Sequence, residues 1–525
     1  MSKAATQSGW LGKIERAGNK LPDPVFLFLY FILALVVISV IADLAGLAAR
    51  HPTEIDEATG AAREIGALSL LSAENIRRLW TEMPTTFTHF HPLGYVLVVM
   101  LGAGVAERSG LFGTAMRAGL RNAPKAMLTP LVVFVAMMGN HAADAGYVVL
   151  IPLAGIIFHA AGRHPIAGIA AGFAGVSGGF SANVIPGQLD ALLFGLTQAA
   201  VETVFTGVTV NIAGNWYFIT AMTVFFLPVI WYVTDRIIEP RLGEWQPQRA
   251  DAALADDQEG RPLTEGESKG LRWAGLALLA ICALWAFFVW GPGTPLVDQD
   301  APPEGRLSPF YNSLVAFFFL FFLAAGWAYG KASGAIRDHR DLVKMMSGAM
   351  ADMSYYLVLA FVAAHFVAMF NWSNLGLIFA VKGADLLGSS GLPAWALLAA
   401  IIVASAFINL FVGSASAKWA LLGPVLVPML MLLGITPEMA TAAYRVGDSA
   451  TNIITPLMPY FPLILVFAQR WDREFGLGSL AATMLPYSIG LMIAGLLLTV
   501  GWVALDLPLG PGAEVFAAPP AAQAR

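Results

Sequence analysis

Charge is scarce in this chain. Of 525 residues, 30 are Lys or Arg and 35 are Asp or Glu, 12% in all, about half the charged share of an ordinary soluble domain. With 57% of its residues hydrophobic, a water-soluble protein could neither hide that apolar surface nor cover it with so few charges. The three or four soluble domains that this length suggests, at roughly 150 residues each, are therefore excluded, as are disordered scaffolds. Lipid is the solvent that fits. Net basic charge is also missing, and a formal charge of −5 offers no electrostatic footprint for nucleic acid. Cysteine is all but absent: Cys282 stands alone in the apolar run Gly275–Trp290, which rules out an intrachain disulfide and a cysteine metal cluster. HExxH, CxxC and GxxxxGK[ST] do not occur, so neither a metalloprotease nor an ATP-driven pump has a motif to stand on. No small-residue cleavage site follows the first apolar run, which reads as a retained span behind Lys3, Lys13, Arg16 and Lys20.

What is present is a series of spans of about 20 apolar residues. They fall near Pro24–Ala49, Pro92–Ala106, Trp216–Val233, Gly275–Trp290, Phe310–Tyr329, Met350–Phe370 and Leu477–Leu505. Two longer stretches, Met127–Val204 and Leu392–Gln469, are apolar but repeatedly interrupted by Gly, Pro, Ser and Asn. The polar connection Ile237–Gly270 is too short to fold around its own core and reads as a solvated linker. His51–Thr88 has a weak amphipathic pattern that suits the membrane surface.

The two interrupted stretches repeat each other. A shift of 272 positions aligns Ala142–Ser177 with Ser414–Ser449 without a gap, with ten of 36 pairs identical. Pro152 matches Pro424, Gly162 matches Gly434, Pro165 matches Pro437 and Gly175 matches Gly447. In each copy an apolar arm leads to a polar tip, Gly139–Asp144 or Gly413–Ser416, and a second arm returns. Arms of roughly 12–18 residues are short for a full crossing, so each pair reads as a re-entrant hairpin. A helix follows that breaks midway, at Gly175–Asn183 or Gly447–Asn452. Hairpin tips and broken helices in both halves of a duplicated chain point to a secondary-transporter site.

The fold class predicted is an all-α polytopic membrane protein, with nine transmembrane helices plus two re-entrant helical hairpins arranged as an inverted repeat. Its segments are a cytoplasmic N-terminus (1–23), first scaffold helices with an external segment (24–126), transport-core repeat 1 (127–204), scaffold helices with a cytoplasmic linker (205–391, linker 237–270), transport-core repeat 2 (392–469), and a last span with its tail (470–525). In this topology 21 Lys and Arg lie inside and seven outside, with Lys418 and Arg445 left in the membrane, which agrees with the positive-inside rule. The hairpins then enter from opposite faces.

The chemistry sits in the interruptions. Ser177–Asn183 and Gly447–Asn452 combine permissive backbone with hydroxyl and amide oxygens. Unwound helix with such side chains suits a desolvated Na⁺ or a substrate carboxylate at half-helix ends; the bland reading is close helix packing through small residues. Asp448 and Arg445, three apart in a helix at mid-membrane, are functional candidates because intramembrane charge is expensive. Their bland reading is an ion pair at helical spacing. Asp448 is suited to a proton or cation, and Arg445 to bidentate contact with a carboxylate. Asp190 is the other deep carboxylate, or else a helix-surface acid facing water. Lys418 and Trp419 follow the second tip, where a tryptophan either stacks on an aromatic substrate or anchors at the interface. His141 lies at the first tip, while His159 and His365 read as packed helix residues.

The run Ser414-Ala-Ser-Ala-Lys-Trp-Ala-Leu-Leu-Gly-Pro-Val, the run Tyr444-Arg-Val-Gly-Asp-Ser-Ala-Thr-Asn-Ile-Ile-Thr-Pro and the segment Gly178-Gly-Phe-Ser-Ala-Asn183 resemble the AbgT family of p-aminobenzoyl-glutamate transporters, over nearly the whole chain. The resemblance implies a homodimer in a bacterial inner membrane, nine spans and two hairpins per chain. It also implies import of p-aminobenzoyl-glutamate or export of sulfonamide antimetabolites. The positions matching the family's functional pattern are Asp190, Ser416, Trp419, Pro437, Arg445, Asp448 and Pro456. Asn409 and Gly413 match positions associated with a bound Na⁺ beside Asp448.

The expectation is a secondary active transporter, and not an enzyme. Ser416, Trp419, Pro437, Arg445, Pro456 and Asn183 would contact a small aromatic carboxylate or sulfonamide. Asp190 and Asp448 would couple it to H⁺ or Na⁺, with no cofactor beyond a Na⁺ at Asn409, Gly413 and Asp448. The chain's partners would be the lipid bilayer and a second copy of itself, with its N-terminus in the cytoplasm. The competing readings are a dicarboxylate or other anion symporter of the same architecture and, remotely, an intramembrane hydrolase using Ser416, His141 and Asp144. A channel is disfavoured because no ring of repeated pore residues is visible.

Overall fold

The computed structural model describes residues 23–55, 62–120, 124, 127–142, 146–205, 208–245, 263–301, 306–455, 458 and 460–517. Helix α1 (Pro24–Leu44) begins with Asp23 accepting from the Val25 amide at 2.8 Å and with proline at its first position, where a missing N–H costs nothing. It is apolar on every side and leaves Phe26, Leu33 and Ile41 exposed, as a helix surrounded by lipid does.

The next segment departs from the all-helical expectation. Strands β1 (Ala48–Ile55) and β2 (Ala62–Gly66) pair antiparallel, with Ala48 opposite Gly66 and Ile55 opposite Ala62. The base of this hairpin is tied to a distant turn, where the Leu68 amide donates to the Ser373 carbonyl (3.0 Å) and the Asn374 side chain donates to the Gly66 carbonyl (2.9 Å). A pairing held by tertiary bonds leaves little trace in local periodicity. Two short helices, α2 (Ala73–Thr81) and α3 (Met83–Thr88), complete the connection.

Helices α4 (His91–Arg108) and α5 (Leu111–Leu120) follow, with an axis bend of 62° between them. The first repeat copy comprises α6 (Leu128–Met138), a 3₁₀ turn at Gly139–Ala142, a π turn at Gly146–Leu150, α7 (Ile151–Ala160), α8 (Pro165–Phe173), a second π turn at Ala174–Gly178 and α9 (Gln188–Glu202). The chain continues with α10 (Trp216–Val233), a π turn at Thr234–Ile238, α11 (Glu239–Leu242), α12 (Glu265–Trp290), α13 (Ser308–Asn312), α14 (Leu314–Ser333), α15 (His339–Asp352), α16 (Ser354–Trp372) and α17 (Leu375–Ser389). The second copy is α18 (Ala394–Asn409), α19 (Ala415–Leu432), α20 (Pro437–Thr451) and α21 (Phe461–Trp471), and α22 (Leu477–Ala504) ends the helical order. Parts of the expected linker 237–270 are helical, in α11 and in α12; the latter starts with a capping box between Thr264 and Glu267.

Among the described residues seven helices are long and apolar enough to cross a membrane, and the bent pair α4–α5 makes an eighth. The halves of the two broken helices are too short to qualify singly. A large core surrounds the two repeat copies, and a smaller one joins α4, α12 and α14.

The duplication is visible in backbone geometry. Gly162 and Gly434, 272 positions apart, both have φ of +79°, a left-handed conformation that ends a helix and favours glycine. Two residues later His164 and Thr436 cap the next helix through side-chain acceptors, and Pro165 and Pro437 then occupy its first position. The second break differs from expectation. Helix α20 continues through Gly447 to Thr451 and unwinds only beyond Asn452, whose amide still donates to the Asp448 carbonyl (3.2 Å). Within the helix the bare Cα of Gly447 packs on α18, where a Cβ would lie 2.2 Å from the Ile402 carbonyl oxygen.

Candidate functional site

Both hairpin tips and the unwound stretch before α9 converge on a cavity of about 620 Å³, within the size range of small-molecule sites. Asn140 and His141 come from the first tip, Gly413, Ser414 and Ser416 from the second, and Phe180, Asn183 and Gln188 from the unwound stretch and the start of α9. Tyr147 and Tyr460, one from each copy, stack at 4.3 Å on its wall, and α16 contributes Tyr355 and Tyr356. The first tip is fastened to the unwound stretch. The Asn140 side chain donates to the carbonyls of Met137 (3.0 Å) and Gly179 (3.2 Å), and the Gln188 side chain donates to the His141 carbonyl (3.2 Å). His141 Nε2 has no hydrogen-bond partner among the described residues.

Asp190 stands in the first turn of α9 and is buried. Its Oδ2 accepts from the Gly187 amide (2.7 Å), placing the carboxylate at a helix N-terminus where the dipole favours negative charge. Its Oδ1 accepts from Arg445 Nη2 at 2.5 Å. Arg445 is buried behind Asp190, beside Asn211, Asn215, Glu438 and Thr441. Its Nε and Nη1 have no hydrogen-bond partner among the described residues. Arg445 and Asp448 are thus not each other's ion-pair partners, despite their helical spacing, and Asp190 is not a water-facing surface acid.

The partner of Asp448 is Lys418, a residue the sequence reading left out of the site. The Lys418 ammonium contacts both Asp448 Oδ1 and Asn409 Oδ1. Asn409 Nδ2 in turn lies 2.9 Å from the Asp448 carbonyl, 2.9 Å from the Thr451 hydroxyl and 2.8 Å from the Asn452 side-chain oxygen. These hard oxygens suit Na⁺ by type, but the ammonium holds the position that a cation shared by Asn409 and Asp448 would take. The residues present therefore do not fit a Na⁺ there. Gly413 lines the cavity wall.

Trp419 is fully buried and does not line the cavity. Its indole N–H donates to the Thr197 hydroxyl (2.8 Å), and its ring stacks on Tyr444 with centroids 4.5 Å apart. Thr197 also bonds Thr441 (3.0 Å), so these side chains bridge the copies. A further bridge runs from the Ser181 amide to the Ser449 hydroxyl (3.1 Å). Pro437 is buried at the start of α20, also away from the cavity. Ser416 faces the cavity with its hydroxyl 3.2 Å from that of Ser414. Pro456 and Asp144 lie outside the described residues. The run Gly175–Gly179 has the G-x-S-x-G spacing of a hydrolase nucleophile turn. It lies in a helical π turn with no preceding strand, and the buried Ser177 hydroxyl faces Met458 Sδ at 2.9 Å, which is not the strained strand-to-helix elbow that motif requires.

A multi-pass helical membrane protein in which the matched segments of a duplicated sequence close on one largely apolar cavity carrying a few polar groups is built as a solute transporter. Comparison with known proteins is specific. Residues 9–517 match the family described as "AbgT putative transporter family", and the chain belongs to that family. It is 36% identical over 510 residues to the p-aminobenzoyl-glutamate transport protein of Escherichia coli (strain K12), covering 97% of each. Among solved structures, the Alcanivorax borkumensis YdaH transporter matches with a TM-score of 0.85 at 44% identity, over 93% of this chain and 100% of that one. Neisseria gonorrhoeae MtrF, assigned to a class of antimetabolite efflux pumps, matches with a TM-score of 0.88 at 42% identity, over 96% and 100%.

Proposed function

We propose that this chain is a secondary active transporter of p-aminobenzoyl-glutamate, of sulfonamide-type antimetabolites, or of both, driven by a H⁺ or Na⁺ gradient. In this reading nine spans and two re-entrant hairpins form each subunit of a homodimer in a bacterial inner membrane, with the N-terminus in the cytoplasm. The two-hairpin unit moves against a scaffold that carries the dimer contact. The charge bias of the connections and the matched turns of the two copies support this topology.

One observation carries the mechanism: Asp190 at the cavity wall is paired across the repeats with Arg445, two of whose guanidinium nitrogens have no partner among the described residues. A substrate carboxylate competes with Asp190 for the guanidinium. A proton on Asp190 weakens the existing pair and frees Arg445 for the substrate. Loading the proton and loading the anion then become one event, which is what coupling requires. Ser416 and Asn183 offer hydrogen bonds from the two copies, and the Tyr147–Tyr460 stack offers an aromatic wall for a benzoyl ring. Trp419 acts behind the wall by holding Thr197 and Tyr444 in place. No step is assigned to Na⁺ at Asn409 and Asp448.

The test is transport in reconstituted liposomes under separately imposed H⁺ and Na⁺ gradients, with labelled p-aminobenzoyl-glutamate and a labelled sulfonamide. Flux that follows the H⁺ gradient, is blocked by excess unlabelled p-aminobenzoyl-glutamate and is lost in Asp190→Asn is the expected result. Flux driven by Na⁺ alone would overturn the proton step at Asp190, and displacement by succinate as readily as by p-aminobenzoyl-glutamate would overturn the substrate.

A further inference from the structure

The second copy holds an ionic cluster that this coupling mechanism does not use. Lys418 lies in the first turn of α19 with its side chain wholly buried, and its ammonium meets oxygens from two other helices, Asn409 at the end of α18 and Asp448 on α20. The face of the Tyr444 ring lies 5.9 Å from the same ammonium, close enough for cation–π attraction. Asn452 adds a further contact to Asp448 at 3.4 Å. Three helix ends thus converge on one buried carboxylate, and such a carboxylate requires a positive charge beside it. A small alkali cation bound by oxygens is one way to supply that charge. Here it arrives covalently attached to the second hairpin.

We propose that Lys418 is the resident cation of this junction, a tethered ammonium occupying the position that Na⁺ would need and making the joint between the second hairpin and its broken helix independent of Na⁺. Two unit positive charges cannot share one buried carboxylate and one amide oxygen at contact distance, because their repulsion in a low-dielectric interior is not screened. A tethered charge also differs from a bound ion in consequence. It stays with α19 when the hairpin moves, so it adds nothing to the ion flux of a cycle while still fastening the second tip to α20. The inference takes its setting from the transporter reading but is tested by stability, so either can fail without the other.

The experiment is thermal unfolding of the purified full-length protein in detergent, titrated with NaCl against N-methyl-D-glucamine chloride at constant ionic strength. Wild type and Lys418→Arg should melt at the same temperature in both salts. Lys418→Met should melt lower in N-methyl-D-glucamine and regain stability as Na⁺ rises, along a saturable curve. That Na⁺ response should vanish in Lys418→Met/Asp448→Asn, which removes both charges. A saturable, Na⁺-selective stabilisation of wild type would overturn the proposal. So would a Lys418→Met protein that ignores Na⁺, or one that no Na⁺ concentration restores.

Discussion

The turn between a second hairpin arm and its broken helix occurs twice, at Ala161–His164 and at Leu433–Thr436, with the same left-handed glycine and the same proline at the next helix start. Its fastening differs. In the first copy Arg163 pairs with Asp235 (2.6 Å) and with Glu239, donates to the Thr129 hydroxyl (2.6 Å) and lies over the Phe158 ring. In the second, the Thr436 amide donates to the Val515 carbonyl (3.1 Å), the Thr436 hydroxyl to the Glu514 carbonyl (2.7 Å) and the Ala517 amide to the Gly434 carbonyl (3.0 Å). The buried charge differs as well. The first copy supplies Asp190, while the second supplies Lys418, Glu438, Arg445 and Asp448. Duplication repeats what depends on backbone geometry, and the side-chain chemistry of the copies has diverged around it.

The largest expected effect comes from breaking the Asp190–Arg445 ion pair, which joins the copies. Asp190→Ala leaves the Arg445 charge buried without a partner, and Arg445→Ala leaves Asp190 with only its Gly187 amide. Each should cost about 3–5 kcal/mol and abolish transport, with Asp190→Ala the worse because its cap is lost as well. In the double variant Asp190→Ala/Arg445→Ala the melting temperature should recover part of the loss while transport stays absent. Strict additivity of the two single losses in a double-mutant cycle would mean that the pair does not couple the copies.

A smaller difference should separate the matched glycines of the two broken helices. A Cβ at Gly447 would lie 2.2 Å from the Ile402 backbone oxygen, whereas one at Gly175 meets the Ala136 methyl at 2.4 Å and the Val133 carbonyl at 3.0 Å. Overpacking of this kind costs about 1–3 kcal/mol. Gly447→Ala should fall at the upper end, since a helix backbone yields less readily than a side-chain methyl. Equal melting temperatures for Gly447→Ala and Gly175→Ala would show that the copies tolerate the same crowding and that their packing is more alike than the distances indicate.

These comparisons also mark where the sequence was legible. Apolar spans could be read because lipid rewards them residue by residue, and the repeat because Gly162, Gly434, Pro165 and Pro437 act through their own backbone conformations. Partner choice was not legible. Arg445 has Asp448 at helical spacing but pairs with Asp190, 255 positions away, and Trp419 offers a stacking surface whose polar end is claimed by Thr197, 222 positions away. Lys418 did carry a usable signal, since a lysine in an apolar helix must be paired, but only the fold says with what. The β1–β2 hairpin was missed for the same reason, its base being held by Ser373 and Asn374. The helix break after Thr451 was placed too early because Gly447 marks a close crossing and not an unwinding point.

The smallest expected effect concerns pH, and of the two caps only that of the first copy titrates. His164 caps α8 by accepting from the Ile166 amide at 3.3 Å, where the second copy uses Thr436, which does not titrate in this range. Burial lowers the His164 pKa below its ordinary value, partly opposed by Glu239 and Asp472 nearby. The folded protein therefore favours the neutral imidazole, and an acceptor nitrogen is what the cap needs. The sign follows: above the unfolded pKa of about 6.5 both states are neutral and the full stability is present. As pH falls through that value the unfolded chain takes up a proton that the folded one resists, and stability declines towards the lower folded pKa. Wild type should thus lose melting temperature between pH 7.5 and pH 5.5. His164→Asn, which keeps a side-chain acceptor at the cap, should lose less over the same interval while matching wild type at pH 7.5 to within a degree or two. Identical slopes for the two proteins would place the pH sensitivity elsewhere and leave the two turns equivalent in acid.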